Sequence, residues 1–268
     1  KKGLKLLEPK QEIAELNDKA HKLIDEIRED HDSDNSSKIA KVNEMSEEVN
    51  SRVHEQAEKY LEQGKAVGIL GGDHSSPYGL IKSLAKRHGS FGILHIDAHF
   101  DLRPAYEGFQ YSHASIMDNV LKEFSQVTKL VSFGIRDFCT EEFNKSQKMV
   151  HDKKSLVYFD RDIHRRQMSG ERFSHFVKEA LDFLPEKVYL SFDIDGLQTQ
   201  FCPSTGTPVP GGLHYNDVVY LIEELALQGK KIIGFDLCEM TPAKNGGDWD
   251  QNVAMRLLYK ICGALLYE

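Results

Sequence analysis

The chain has 268 residues, 40% of them hydrophobic, and a formal net charge of −8. That length and apolar content can bury a large core in one α/β domain, while the acidic balance disfavours nucleic acid and anionic membranes as partners without repelling a cationic small molecule. No run approaches the roughly 20 apolar residues of a membrane span, the four cysteines are not paired at metal spacing, and no signal peptide is expected, so a cytoplasmic protein with reduced thiols is expected.

Residues before Ala66 read as helical: 12–29 and 38–63 carry apolar residues at helical spacing in a charged background, separated by the polar stretch 31–37. Such amphipathic helices are expected to pack on their own sheet. From Ala66 the pattern alternates. The strand-like run 66–70 opens into Gly71-Gly72-Asp73-His74-Ser75, and a helical stretch follows at 77–88. The next apolar run, 91–96, leads into His95-Ile96-Asp97-Ala98-His99-Phe100-Asp101. Asp97, His99 and Asp101 stand at alternate positions, so an extended backbone directs all three to one side.

His113, in Tyr111-Ser112-His113-Ala114-Ser115, precedes a helical stretch at 114–124, and strand-like runs come at 129–133 and 155–159. Arg161, His164, Arg165 and Arg166, interrupted by Asp162, read as a solvated or oligomer-facing turn. After helical 171–184, the run 187–193 ends in Ser191-Phe192-Asp193-Ile194-Asp195, again with two carboxylates on one side. Thr205 lies in the loop Ser204-Thr205-Gly206-Thr207-Pro208, helical 215–228 follows, and the strand-like run 231–237 leads to Glu239 before a last helical stretch at 249–266. This alternation predicts a three-layer α/β/α sandwich with a mainly parallel central sheet. It is read as a single domain over 1–268, with a helical part at 1–64 and a metal-binding core at 65–268. In such sheets ligands gather at the carboxyl ends of strands, where every candidate ligand falls.

His74, Asp97, His99, Asp101, Asp193 and Asp195 make four carboxylates and two imidazoles, which converge only if cations hold the carboxylates ionised. Hard oxygens with a minority of nitrogens and no cysteine suit Mn²⁺, with Mg²⁺, Fe²⁺, Co²⁺, Ni²⁺ or Zn²⁺ as alternatives. Six ligands exceed what one catalytic ion takes while keeping water positions open, so two bridged ions fit better. Taken singly, an Asp or His at a strand end is more often a turn-former or cap; only the set points to a metal. Asp73 reads as a brace for the loop and for His74, and Asp236 as support behind the ligands.

The motifs at 71–75, 97–101 and 191–195 resemble, in order, the three signatures of the ureohydrolase superfamily: arginase, agmatinase, formimidoylglutamase and relatives. The resemblance covers roughly residues 65–265 and implies an arginase-like fold and a binuclear manganese hydrolase with two Mn²⁺ per chain, cleaving a C–N bond by attack of a metal-bridging hydroxide. Residue by residue, it implies that His74, Asp97, Asp101 and Asp193 hold one ion and Asp97, His99, Asp193 and Asp195 the other, with Asp97 and Asp193 bridging. Asp101 is suited to pass the hydroxide's proton onward. His113 matches the histidine that shuttles protons, Glu239 the glutamate that grips the guanidinium, and Thr205, more weakly, a loop hydroxyl beside the reacting centre. Homo-oligomerisation as a trimer or hexamer follows from the resemblance alone. Family members also carry an earlier glycine-proline-rich strand not found here, so the chain is expected to be part of a longer protein.

The chain departs from the family after Asp195. Gly196-Leu197 is followed by Gln198-Thr199-Gln200 where Asp-Pro is usual, so the loop towards Thr205 is expected to lose rigidity. Arg103 offers a partner for a substrate carboxylate, as in a formimidoylglutamase. Tyr111-Ser112-His113-Ala114 instead favours the agmatinase branch, and the asparagine-rich pattern of arginases is missing. An agmatinase-like amidinohydrolase releasing urea and an amine is therefore expected, with arginase, formimidoylglutamase and a non-catalytic metal-binding member as alternatives.

Overall fold

A computed structural model describes residues 3–8, 10–30, 33–244 and 246–267; His31 and Asp32, in the polar stretch between the first two helices, lie outside the described residues. The helices α1 (Gln11–Glu29) and α2 (Ser36–Leu61) come first, followed by β1 (Gly68–Leu70), α3 (Tyr78–Arg87), β2 (Phe91–Ile96) and α4 (Ile116–Glu123). Then come β3 (Val127–Ile135), α5 (Thr140–His151), β4 (Ser155–Phe159), α6 (Asp160–Met168) and α7 (Phe173–Phe183). The chain closes with β5 (Lys187–Phe192), α8 (Tyr215–Leu227), β6 (Lys231–Leu237) and α9 (Trp249–Leu265).

Among the described residues the strands form one parallel sheet in the order β1-β6-β5-β2-β3-β4. After β2 the chain winds outward through β3 and β4, then returns to place β5 on the other flank of β2. The winding direction reverses between β2 and β5, and α/β sheets bind ligands in the crevice at such a reversal. The expected α/β/α sandwich is the observed architecture.

Alternation along β2 explains the two-sided core. Leu94 and Ile96 join the cluster under α7, α8 and α9, whereas Phe91 and Ile93 join the cluster under α3 and α4. Every residue of β2 is buried, as parallel strands covered on both faces require. Leu84 of α3, fully buried in the second cluster, tests the packing. Leu84→Ala is expected to destabilise the fold by about 2–5 kcal/mol in chemical denaturation, through lost burial and the cavity left behind; a loss under about 1 kcal/mol would show that the site collapses around the deletion.

The helical N-terminal part packs chiefly on helices and not, as expected, on the sheet: α1 lies on α2 and α2 on α3. Close approach depends on Gly79, because a Cβ there would lie 2.4 Å from the Asn50 carbonyl oxygen. Two helices depart from the sequence expectation. Residues 140–151 form α5, and Arg161, His164, Arg165 and Arg166 lie in helix α6 where a turn was expected. In α6 the stabilising pattern is charge: Asp160 and Asp162 lie in the first turn and Arg165 and Arg166 in the last, complementing the helix dipole, with Ile163 buried beneath. Helix α5 starts with a capping box between Cys139 and Glu142.

Candidate metal centre

Strand register brings the three ligand motifs together. His95 pairs with Ser191 and Ile96 with Phe192, so the chain leaves β2 and β5 at the same level. Asp193 N donates to Ile96 O at 2.9 Å, and Asp97 N to Phe133 O at 3.1 Å. On the far side of β5, Asp193 bridges to Cys238, directly before Glu239. Leu70 pairs with Leu237, and Glu239 N donates to Gly72 O at 2.8 Å, bringing the loop with His74 beside Glu239. The carboxyl ends of β1, β6, β5 and β2 thus close around one point.

His74 occupies the middle. Its Nδ1 lies 2.9 Å from Asp97 Oδ2, 3.0 Å from Asp101 Oδ2 and 3.5 Å from Asp193 Oδ2. Behind the ring, Nε2 lies 2.9 Å from Ser191 Oγ and 3.5 Å from Asp236 Oδ1, so hydroxyl and carboxylate orient the imidazole from the far side. His95 Nε2 lies 2.9 Å from Asp97 Oδ2 as well. On the other flank, His99 Nδ1 stands 3.2 Å from Asp195 Oδ2 and 3.4 Å from Asp97 Oδ1.

Two groups can therefore hold a cation: His74, His95, Asp97 and Asp101, and Asp97, His99 and Asp195. They share Asp97. Asp193 belongs to neither group, but its Oδ1 accepts from Asp195 N at 2.8 Å and its Oδ2 faces His74. The sequence does not mark His95 out as a ligand, although it occupies the first of the alternating positions 95, 97, 99 and 101, because it stands inside the apolar run of β2.

The electrostatics fit divalent cations. Burial raises the Asp193 pKa well above the usual carboxylate range, and the neighbouring Asp195 and Asp97 charges add to it. Burial and Asp97 likewise raise Asp101, against the opposing pull of His74 beside its Oδ2. Burial opposes ionisation of Asp97 too, but hydrogen bonds from His74 and His95 overcome it and hold that group well below the ordinary value. Burial pulls the His99 pKa down, and the Asp195 and Asp97 carboxylates override it and push it up to about 11. Protons on imidazoles thus supply the positive charge that the carboxylates demand, a demand a divalent cation meets with oxygen and nitrogen donors.

Supporting contacts come from distant segments. Ala98 N donates to Asp195 Oδ1 at 3.0 Å, and Thr207 Oγ1 to Asp195 Oδ2 at 3.2 Å. Arg136 donates through Nη2 to the carbonyls of Asp195 at 2.7 Å and Val209 at 3.0 Å, pinning the chain on both sides of the loop. Asp73 braces its loop, its Oδ1 accepting from Ser75 N at 3.0 Å. Ser191→Ala is expected to weaken metal affinity about 10- to 100-fold by freeing the rear of the His74 ring, read by titration calorimetry on the stripped protein; unchanged affinity would deny the hydroxyl that role.

Glu239 Oε1 accepts from His74 N at 2.9 Å, and Thr205 Oγ1 donates to the Glu239 carbonyl at 2.9 Å. Burial and the charge of Asp73 push the Glu239 pKa up to about 7. Asp101 and Glu239 have φ of 55° and 65°, the left-handed region costly for non-glycine residues and concentrated at functional sites. The loop with the Gln198-Thr199-Gln200 departure is tied to neighbouring segments: Gln198 N donates to Leu213 O at 3.0 Å, Trp249 Nε1 to Gln200 O at 2.9 Å, and Ser204 N to Asp250 Oδ1 at 2.8 Å.

His113 and Arg103 lie outside the two cation-holding groups. His113 is half-buried at the start of a short 3₁₀ turn, its ring centroid 5.7 Å from that of Tyr106 in an edge-on arrangement. The Arg103 guanidinium lies over the same Tyr106 ring at 4.9 Å, with Nε 3.5 Å from Glu142 Oε2. The structure thus gives Arg103 a carboxylate partner of its own.

Fold and site together define an α/β protein with a buried, carboxylate-rich centre at the ends of parallel strands. A model of the arginase family matches residues 10–263, and the chain belongs to that family. It is 35% identical over 219 residues to an N(1)-aminopropylagmatine ureohydrolase of Thermus thermophilus, covering 82% of this chain and 69% of that protein. It is 32% identical to the agmatinase of Pyrococcus horikoshii, covering 72% of this chain and 61% of the relative. Among solved structures, the agmatine ureohydrolase of Thermoplasma volcanium superposes with a TM-score of 0.67 at 28% identity, over 82% of this chain and 69% of the other. The arginase of Bacillus caldovelox shares the fold with a TM-score of 0.67 at 22% identity, over 84% and 76%. The chain therefore spans about 60 to 70% of the length of these two curated relatives.

Proposed function

We propose that this chain is a metal-dependent amidinohydrolase of the agmatinase type, using two Mn²⁺ ions to release urea and an amine from a guanidino compound. The observation that carries the reading is the pair of cation-holding groups sharing Asp97. Two ions held by these residues would supply Lewis acidity that makes water a nucleophile near neutral pH. In this reading His74, Asp97, Asp101 and Asp193 would hold one ion and Asp97, His99, Asp193 and Asp195 the other. His95 orients Asp97 from behind.

Glu239 binds the guanidinium by a charge-assisted pair, which sets its central carbon facing the centre. Asp101 takes the proton released from water and passes it to the departing amine, and His113 exchanges protons with solvent. Thr205 steadies the Glu239 backbone. A net charge of −8 favours a cationic substrate, and the two curated relatives compared above are named for agmatine and its aminopropyl derivative, both guanidines with an amine-bearing tail. The engagement of Arg103 by Glu142 weighs against a carboxylate-bearing tail. On this reading residues 1–268 act as one domain of a cytoplasmic homo-oligomer; a trimer or hexamer is expected, and size-exclusion chromatography with light scattering is the measurement that checks it. Among the described residues no helix is long and apolar enough to cross a membrane.

The test is urea and ammonia release from the Mn²⁺-loaded protein and a metal-stripped control. The panel is agmatine, N(1)-aminopropylagmatine, arginine, guanidinobutyrate, guanidinopropionate and formimidoylglutamate. Metal-dependent urea from an amine-tailed guanidine is expected. Ammonia or formamide from formimidoylglutamate alone would overturn the agmatinase assignment, and silence from a protein holding two ions would overturn catalysis.

A further inference from the structure

The loop between Asp101 and His113 is shaped by a helix remote from it in sequence. Its tip is a tight hairpin: Tyr106 N donates to Phe109 O at 3.2 Å and Phe109 N to Tyr106 O at 2.9 Å. Glu107 and Gly108 turn the chain with φ of 54° and 87°, the pair of left-handed conformations that reverses a two-residue hairpin. Two residues alone do not hold such a turn. Asn43 of α2 holds it from outside: Asn43 Nδ2 donates to Gly108 O at 3.1 Å, and Asn43 Oδ1 accepts from Gln110 N at 2.8 Å. One amide thus satisfies an acceptor and a donor on the same turn, a complementarity that the paired oxygen and NH₂ of an amide side chain supply. Ile39, one helical turn earlier, lies against the same glycine, where an added Cβ would fall 3.2 Å from two of its carbons. The hairpin in turn presents the Tyr106 ring edge-on to His113 and face-on to the Arg103 guanidinium.

We propose that Asn43 is a positioning residue: by clamping the 106–110 hairpin it holds Tyr106 against His113, and so makes helix α2 part of the machinery that orients His113 for proton transfer. The consequence for turnover rests on the amidinohydrolase reading; the clamp itself does not. Asn43 acts through Tyr106 and touches neither the cation-holding groups nor His113.

The experiment uses the full Mn²⁺-loaded chain and the variants Asn43→Ala, Asn43→Asp, Tyr106→Leu, Tyr106→Phe and Asn43→Ala/Tyr106→Leu. In Asn43→Ala, amide exchange over 106–111 is expected to rise while α2 stays protected and bound manganese is unchanged. kcat should fall about 10-fold with KM within about 2-fold, since His113 is misplaced while the substrate grip is intact. Asn43→Asp should behave like Asn43→Ala, because a carboxylate oxygen then opposes the Gly108 carbonyl. Tyr106→Phe should retain more of kcat than Tyr106→Leu, and the double variant should match Tyr106→Leu alone, because both changes act along one route. Unchanged exchange over 106–111 would overturn the clamp. Additive effects in the double variant would overturn its action through Tyr106. If the wild-type chain hydrolyses no guanidino compound, the proposed function falls, and the exchange measurement alone decides the clamp.

Discussion

Asp97→Ala is expected to abolish turnover and to remove tight binding of both cations. Asp97 belongs to both cation-holding groups, with one oxygen 2.9 Å from His74 and His95 nitrogens and the other 3.4 Å from His99 Nδ1. Loss of an outer partner weakens a metal site about 10- to 100-fold; loss of a shared ligand acts on both ions, and a fall in kcat/KM beyond about 10³-fold follows. The change also leaves His74 and His95 facing each other across 5.4 Å without the carboxylate between them, so the isosteric Asp97→Asn is the companion variant. Asn keeps the volume and one oxygen but not the charge. Metal content by mass spectrometry decides the matter: two ions retained at wild-type affinity in both variants would remove Asp97 from the centre.

Glu239→Gln is expected to leave metal content intact and cut kcat/KM by about 30- to 5000-fold on a guanidino substrate, corresponding to about 2–5 kcal/mol for a buried charged pair deprived of one member. The glutamine carbonyl can still accept from His74 N, so the His74 loop keeps its anchor while the charge facing the guanidinium is gone. Equal metal content separates this outcome from damage to the centre. Wild-type KM and kcat in Glu239→Gln would remove the residue from substrate recognition. The left-handed backbone of Glu239 stores about 1–3 kcal/mol of strain, which the surrounding hydrogen bonds to Gly72 and Thr205 hold in place.

The strands were legible because a parallel strand covered on both faces must be apolar throughout, and such runs stand out from a charged background. The bounds of β2, β4 and β6 agree with the sequence expectation residue for residue. Helices α5 and α6 were not legible, because α5 buries only Glu142 and Ser146, α6 only Ile163, and their stabilising features are caps and charge placement. The alternating Asp97, His99 and Asp101, and Asp193 and Asp195, mark the ligands in the sequence, but the expected extended backbone is not what brings them together: β2 ends at Ile96 and β5 at Phe192, Asp101 has φ of 55° and Asp195 lies in a 3₁₀ turn over 194–196.

The sequence by itself determined which strand ends carry oxygen and nitrogen donors, since that information is local and lies within a few residues of each apolar run. Only the tertiary structure decided how those ends meet. Strands β1 and β2 follow one another in the chain, yet β6 and β5 stand between them in the sheet, and apart from the family resemblance no local pattern near His74 says that its ring closes on Asp97. The same holds for His95 behind Asp97, Arg136 across the 195–209 loop, Arg103 turned to Glu142, and Asn43 holding a hairpin 65 residues away. Each is a pairing of polar groups fixed by strand order and helix packing, and a chain read in one dimension carries donors and acceptors without saying which of them share a buried space.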